Sequence, residues 1–241
     1  MKKDIKPKSR NRKHKHVLVT RQFEQSGSMI NELSNHGHYP YILPMIETIQ
    51  LCPAIDDGDY EVILFTSANA VKYFAPYHPR VHGLVYIAVG PKTAQAMEIY
   101  LGVSSTMVPI VYNMEQAMKI ISTISLKGAR ILTPGAAERT PLPVEVLEDA
   151  GAFVLSPAVY ETNFAMYPEN YIENFIENNT IDIITFCSPS AVKSFLSQCN
   201  INLNFFDVIS IGTTTYEYLK SKDIESRYPE TFTVESMVNI I

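Results

Sequence analysis

One stretch of this chain is written twice. Val62-Ile63-Leu64-Phe65-Thr66-Ser67-Ala68-Asn69-Ala70-Val71-Lys72-Tyr73-Phe74 aligns without a gap on residues 183–195, Ile-Ile-Thr-Phe-Cys-Ser-Pro-Ser-Ala-Val-Lys-Ser-Phe. Phe65/Phe186, Ser67/Ser188, Ala70/Ala191, Val71/Val192, Lys72/Lys193 and Phe74/Phe195 are identical. Two more units recur in the same order. Residues 87–93 match 209–215, and 17–48 match 130–162 through Leu33/Leu147, Gly37/Gly151 and a shared Glu-Thr pair. Strand–helix–strand units resemble one another in general, but a gapless Phe-x-Ser-x-x-Ala-Val-Lys-x-Phe with its neighbours in order marks an internal repeat. A chain of 241 residues built this way divides naturally into two lobes of roughly 100–120 residues.

Hydrophobic patterning gives the class. Apolar strand runs at Val17-Leu18-Val19, Val62–Phe65 and Ile183–Phe186 alternate with helical stripes. Examples of the stripes are Met29/Ile30/Leu33, Ala70/Val71/Phe74, and Met114/Ala117/Met118/Ile121/Ile124. Continuous rather than alternating apolar strands mean parallel sheets covered on both faces. About ten strands are expected, in two sheets of about five. Thr140-Pro141 predicts a helix start with Leu142, Val146 and Leu147 on its buried face. Residues 45–48 and 158–162 are sister segments, each short, proline-preceded and ending in Glu-Thr. They read as the two crossings between lobes, with a ligand expected in the cleft between them.

Composition narrows the function classes. Cys52, Cys187 and Cys199 form no CxxC, which points to reduced thiols in a cytoplasmic protein. The six His have no Cys or acidic partner at metal-ligand spacing, so no metal is expected. No apolar run is long enough to span a membrane. Eight of the 20 Lys and Arg fall in residues 1–16, leaving 12 basic against 24 acidic residues in the body. An acidic body argues against nucleic acid as a partner. The basic tail, 1–16, is expected to be a disordered, solvated segment.

Ligands of open parallel sheets sit beyond the strands' carboxyl ends. Those positions hold Thr20-Arg21, residues 66–69 with Ser67 and Asn69, residues 90–93 with Thr93, residues 133–135, residues 187–190 with Ser188 and Ser190, and residues 212–215 with Thr214 and Thr215. Small, hydroxylic and Gly residues there leave backbone N–H groups open to an anion. Plain N-capping explains any one of them; six such turns favour a polyanionic ligand. No GxxxxGK[ST], GxGxxG, Ser-His-Asp or Cys-His arrangement is present. Titratable groups at these ends are few (Arg21, Lys92, Arg139 and Tyr160), which suits catalysis by positioning.

On these same residues the chain resembles the uroporphyrinogen-III synthase family. The matching pieces are residues 17–21, 65–71, 88–94, Gly135 with Arg139, Leu142 and Leu147, residues 159–162, 186–190 and 211–215. The resemblance implies an α/β fold of two similar lobes, each a parallel sheet flanked by helices, joined by a two-stranded linker with a cleft between. Lobe 1 would be 17–45 plus 165–241, lobe 2 would be 50–157, and 46–49 with 158–164 would be linker strands. It also implies an enzyme without cofactor or metal that closes hydroxymethylbilane to uroporphyrinogen III, through loss of hydroxide, a spirocyclic intermediate and inversion of the last ring; a monomer is the default expectation. Backbone amides and strand-end hydroxyls would hold the eight carboxylates of this substrate. Tyr160 would assist hydroxide loss, and Arg21, Ser67, Asn69, Thr93, Arg139, Ser188, Ser190, Thr214 and Thr215 would bind substrate. Cys187, Thr213 and the Thr140-Pro141 turn depart from the family pattern. An alternative is a non-catalytic two-lobed protein that binds a polycarboxylate or tetrapyrrole. A weaker third reading gives the basic tail a regulatory or scaffold role.

Overall fold

The computed structural model describes residues 5–7, 12–104, 106–140 and 142–241. The chain begins with β1 (His16–Val19), α1 (Gly27–Asn35) and β2 (Tyr39–Ile42), and β3 (Ile46–Gln50) leads out of that group. Next come β4 (Gly58–Phe65), α2 (Ala68–Phe74), β5 (Val81–Ala88), α3 (Pro91–Leu101), α4 (Met114–Ile121), β6 (Arg130–Leu132), β7 (Gly135–Ala136), α5 (Val144–Asp149) and β8 (Phe153–Leu155). β9 (Ala158–Phe164) leads back to α6 (Tyr171–Asn178), β10 (Ile183–Phe186), α7 (Pro189–Gln198), β11 (Asp207–Ser210), α8 (Thr213–Lys220) and α9 (Val234–Asn239). Contacts divide the chain into two compact units. One runs up to Glu47 and resumes over Asn163–Ile241; the other is Thr48–Thr162.

The first unit is a parallel sheet in the order β11-β10-β1-β2. Leu18, Ile184 and Phe186 pack on one face against Ile172 and Ile176 of α6, Val192 and Phe195 of α7, and Leu219 of α8. Val17, Val19, Ile183 and Ile209 pack on the other, against Met29 and Leu33 of α1 and Met237 of α9. The second unit repeats the plan in the order β5-β4-β6-β8, also parallel. α2 and α3 cover one face through Val71, Phe74 and Met97. Ala117 and Ile121 of α4 and Leu147 of α5 cover the other. The fold class read from the sequence is therefore borne out, and β4 and β10, the strands of the repeated stretch, hold the same place in the two orders.

The repeat has a physical cause. Phe65 at the end of β4 meets Phe74 of α2 edge-on, with ring centres 5.3 Å apart. Phe186 at the end of β10 meets Phe195 of α7 at 5.6 Å in the same way. Between each pair a serine turns the chain: Ser67 Oγ accepts from the Ala70 N–H at 3.1 Å and Ser188 Oγ from the Ala191 N–H at 3.2 Å. The matched residues are thus strand end, N-cap and first buried helical positions.

The structure corrects the sequence reading in four places. The described residues form eleven strands in sheets of four, three and four rather than two sheets of five. The linker is three-stranded, in the order β3-β9-β7, because β7 pairs in parallel with β9 through Gly135 and Ala158. Leu51 N–H donates to Val159 and Ala165 N–H to Met45, so β3 and β9 run in opposite directions. The helix expected from Thr140-Pro141 begins at Val144, with Pro141 outside the described residues. The later start turns Val146 out to 62% exposure and leaves Leu147 buried. Finally, the described part of the tail is not simply solvated. Ile5 packs against the first unit's core, Lys6 lies 4.5 Å from the Phe205 ring centre, and the Arg12 guanidinium donates to Thr180 at 3.1 Å. Residues 1–4 and 8–11 fall outside the described set.

Truncation should separate these positions. Phe195→Ala, which empties a fully buried ring site, should lower unfolding stability by about 3–5 kcal/mol. Val146→Ala should cost less than about 0.5 kcal/mol. Urea unfolding of both variants measures the difference; comparable losses would return Val146 to the core.

Candidate functional site

Parallel strands bring their carboxyl ends to one edge of a sheet, so strand order alone groups the expected residues. In the first unit Arg21 follows β1, Ser188 and Ser190 follow or begin the turn after β10, and Thr214 and Thr215 lie after β11; these three strands are adjacent. In the second unit Ser67 and Asn69 follow β4, Thr93 follows β5, and Arg139 lies beyond β6 and β7; β5, β4 and β6 are likewise adjacent. Each unit therefore carries one rim of small, polar residues at helix starts. At such starts the first amides have no partner within the helix and the helix dipole favours negative charge.

In the second unit the structure goes further. Tyr160, on β9, is buried at 8% exposure. Its ring stacks on Tyr73 with centres 5.3 Å apart. Tyr73 in turn is held by its hydroxyl, which donates to the Thr48 carbonyl at 2.9 Å. The Tyr160 hydroxyl lies 3.3 Å from Ser67 Oγ. Burial lowers the pKa of the Arg139 guanidinium from its usual value, and the Tyr160 phenol, near enough to act on it electrostatically, partly opposes that. Tyr160 and Ser67 thus form one group, with Arg139 within electrostatic reach of the phenol. Asn69 stands a short step along α2 from Ser67, and Thr93 is buried at the start of α3.

Arg139 is half-buried and does not stand at a helix start. Its Nη1 donates to the Thr133 carbonyl at 3.3 Å, and its Nη2 to the Ser156 carbonyl at 2.8 Å and to Ser156 Oγ at 2.7 Å. The guanidinium lies close to Gly135, where an added Cβ would sit 1.6 Å from Nη1. Any side chain there would have to displace the guanidinium from these bonds. The Thr133–Ser156 pair, joined hydroxyl to hydroxyl at 2.7 Å, had no local sequence signal because its members are 23 residues apart.

The first unit's rim holds fewer side-chain links. Ser188 caps α7. Thr214 is exposed, Thr215 is buried, and Ser190 is half-buried. Arg21 Nε donates to Gln25 at 3.2 Å. Burial raises the Cys187 thiol pKa, with Arg21 pulling it back in part, so this thiol is a packing group rather than a nucleophile. Among the described residues no group of three or more His, Cys, Asp or Glu is placed to hold a metal ion. No described helix is long and apolar enough to cross a membrane.

Gly135→Ala and Arg139→Ala should each cost about 1–3 kcal/mol, since both break the same guanidinium bonds. The double variant should cost no more than the worse single. A double-mutant cycle by urea unfolding checks this, and additive losses would show that the Gly135 contact is unrelated to Arg139.

Comparison with known proteins agrees with the geometry. The family model "Uroporphyrinogen-III synthase HemD" matches residues 27–239. A porphyrin biosynthesis protein HemD from Ruminiclostridium josui is 27% identical over 240 residues, covering 92% of this chain. The chain spans 47% of that relative's length. A protein from Methanocaldococcus jannaschii, 24% identical, is covered over 97% of its length and 93% of this chain. In fold, the chain is similar to the crystal structure of a uroporphyrinogen-III synthetase from Helicobacter pylori, with a TM-score of 0.64, 18% identity, and coverage of 94% of this chain and 97% of that one. The repeated strand–turn–helix corners, the two rims and the family match together place this chain in the uroporphyrinogen-III synthase family.

Proposed function

We propose that the protein closes hydroxymethylbilane to uroporphyrinogen III with inversion of the last ring and loss of water, acting as a cyclising hydro-lyase of tetrapyrrole biosynthesis. We assign it no metal or cofactor, a cytoplasmic location and a monomeric state. One observation carries the chemistry: Tyr160 sits with its phenol beside Ser67 in a buried, stacked setting, within electrostatic reach of Arg139. In the sister segment the matching position is Ile46, counting back from the shared Glu-Thr. A hydroxyl at only one of two otherwise matched positions fits a single chemical step, whereas a packing role is served as well by Ile.

The proton path follows from the bonds. The Ser67 oxygen already accepts from the Ala70 N–H. With Ser67 donating its own proton to the phenol oxygen, the phenol proton is left to point at the departing hydroxyl. Arg139, held in place by Thr133 and Ser156, favours negative charge developing nearby. Arg21, Asn69, Thr93, Ser188, Ser190, Thr214 and Thr215, with the amides of their turns, bind the carboxylates. Shape then selects the conformer that closes to the III isomer, and the reaction needs little further acid–base help.

Product analysis tests this reading. Fresh hydroxymethylbilane closes unaided to the I isomer, so oxidation and chromatographic separation of uroporphyrins I and III carries its own control. The protein should yield mostly III. Tyr160→Phe should lower kcat by roughly 10²-fold with KM little changed. Only I isomer from folded wild-type protein would leave the binding-protein reading; full activity in Tyr160→Phe would remove Tyr160 from the mechanism.

A further inference from the structure

The repeat continues beyond the matched sequence, into segments whose residues differ. In the second unit Met107 bridges to β5: its N–H donates to Tyr86 and its carbonyl accepts from Ala88, both at 2.9 Å. In the first unit Arg227 does the same beside β11, donating to Val208 at 3.0 Å and accepting from Ser210 at 2.9 Å. Pro109 and Pro229 follow at the same distance along the chain. Then come an aromatic residue, Tyr112 or Phe232, and a capping residue. Asn113 accepts from the Gln116 N–H at 2.9 Å, and Thr233 from the Ser236 N–H at 3.1 Å.

Each aromatic lies against the glycine that opens the helix after its strand. Phe232 is so close to Gly212 that an added Cβ would sit 3.0 Å from its ring. Tyr112 is in ordinary contact with the matching site on Gly90, at 3.8 Å. A residue just before a helix cap is often apolar because it packs on the first turn. That role calls for burial, yet Tyr112 is 62% and Phe232 54% exposed. Ile110 faces Glu230 and Met107 faces Arg227 across the repeat, so other positions have drifted in polarity while the exposed ring is kept at both rims. An apolar surface beside free amides matches an apolar ring that carries carboxylate arms.

We infer that Tyr112 and Phe232 are the contacts for the pyrrole rings of the linear tetrapyrrole. Each rests a substrate ring beside the turn whose amides and hydroxyls take that ring's carboxylates. This assignment rests on the proposed activity. Offset or edge-to-face contact between aromatic rings adds to the area they bury, and here it supplies what an anion site alone lacks, a means of fixing ring orientation.

Steady-state kinetics on hydroxymethylbilane, with the I and III isomers separated, and anaerobic calorimetric titration with uroporphyrinogen III test it. Phe232→Ala and Tyr112→Ala should each raise KM and the product Kd by roughly five- to tenfold, with kcat changed less. Tyr112→Phe and Phe232→Tyr keep a ring and should stay within about twofold of wild type. Melting curves confirm that each variant is folded, and Phe232→Leu replaces any alanine variant that is not. Wild-type protein that makes the III isomer, with KM and Kd unmoved in both ring-deleted variants, would overturn this inference alone. Wild-type protein that neither makes the III isomer nor binds uroporphyrinogen III would overturn it together with the proposed activity. Binding without turnover would leave the Kd series to decide the matter.

Discussion

A strand, a capped turn and a helix locked by two phenylalanines recur at the centre of both units, and the rest of each unit is hung on that corner. The Phe65–Phe74 and Phe186–Phe195 contacts tie the last residue of a central strand to the second turn of the helix that follows. Such a ring pair adds about 0.5–1.5 kcal/mol beyond its area burial, and the serine cap about 1 kcal/mol. The geometric consequence matters more than either figure. With both ends of the turn fixed, the helix cannot slide along the strand, so its first amides stay at the sheet's carboxyl edge. The neighbouring strands, hydrogen-bonded in register to β4 and β10, bring their own turns to the same edge.

This explains what was readable in the chain. The corner is local: strand end, cap and helix face lie within thirteen residues, and a continuous apolar run followed by a period-3.6 stripe announces them. Their repetition revealed the class of fold before any contact was known. The residues around Arg139 were harder to read for the opposite reason. Its partners Thr133 and Ser156 follow different strands, and the preference for glycine at Gly135 comes from a side chain rather than from backbone conformation. The short strand β7, which makes the linker three-stranded, is two residues long, too short for any periodicity. Val146 was misplaced because a hydrophobic stripe gives phase only relative to the helix start, and that start lies at Val144. Tyr160 and Ser67 were both visible as candidates, but 93 residues separate them, and only the sheet brings them together.

Duplication gives two rims of similar donors, and what differs between them says where chemistry has been added. Ser67 and Ser188 make the same capping bond. Of the two, only Ser67 has the Tyr160 phenol against it, and that phenol acts electrostatically on the Arg139 guanidinium. The first unit offers Cys187 and Arg21 near the matching turn instead, and there burial holds the thiol in its neutral form. On the proposed activity, shared features serve grip and the unshared group around Tyr160 serves reaction. The exposed rings of Tyr112 and Phe232 fall on the side of grip, being present twice.

On the proposed activity, electrostatics accounts for how a body with 12 basic and 24 acidic residues beyond its tail would hold a polycarboxylate. Long-range repulsion between surface carboxylates and an anion is screened within about 10 Å at ordinary salt. Helix-start amides act at hydrogen-bond distance, where screening is weak and the dipole adds its share. Several such amides, each contributing modestly, outweigh a diffuse unfavourable field, and they have a further merit over lysines. A backbone amide held by a capped, ring-locked corner has one direction, whereas a flexible cation binds a carboxylate in many. A reaction whose outcome depends on which end of a ring closes the chain needs direction more than it needs charge.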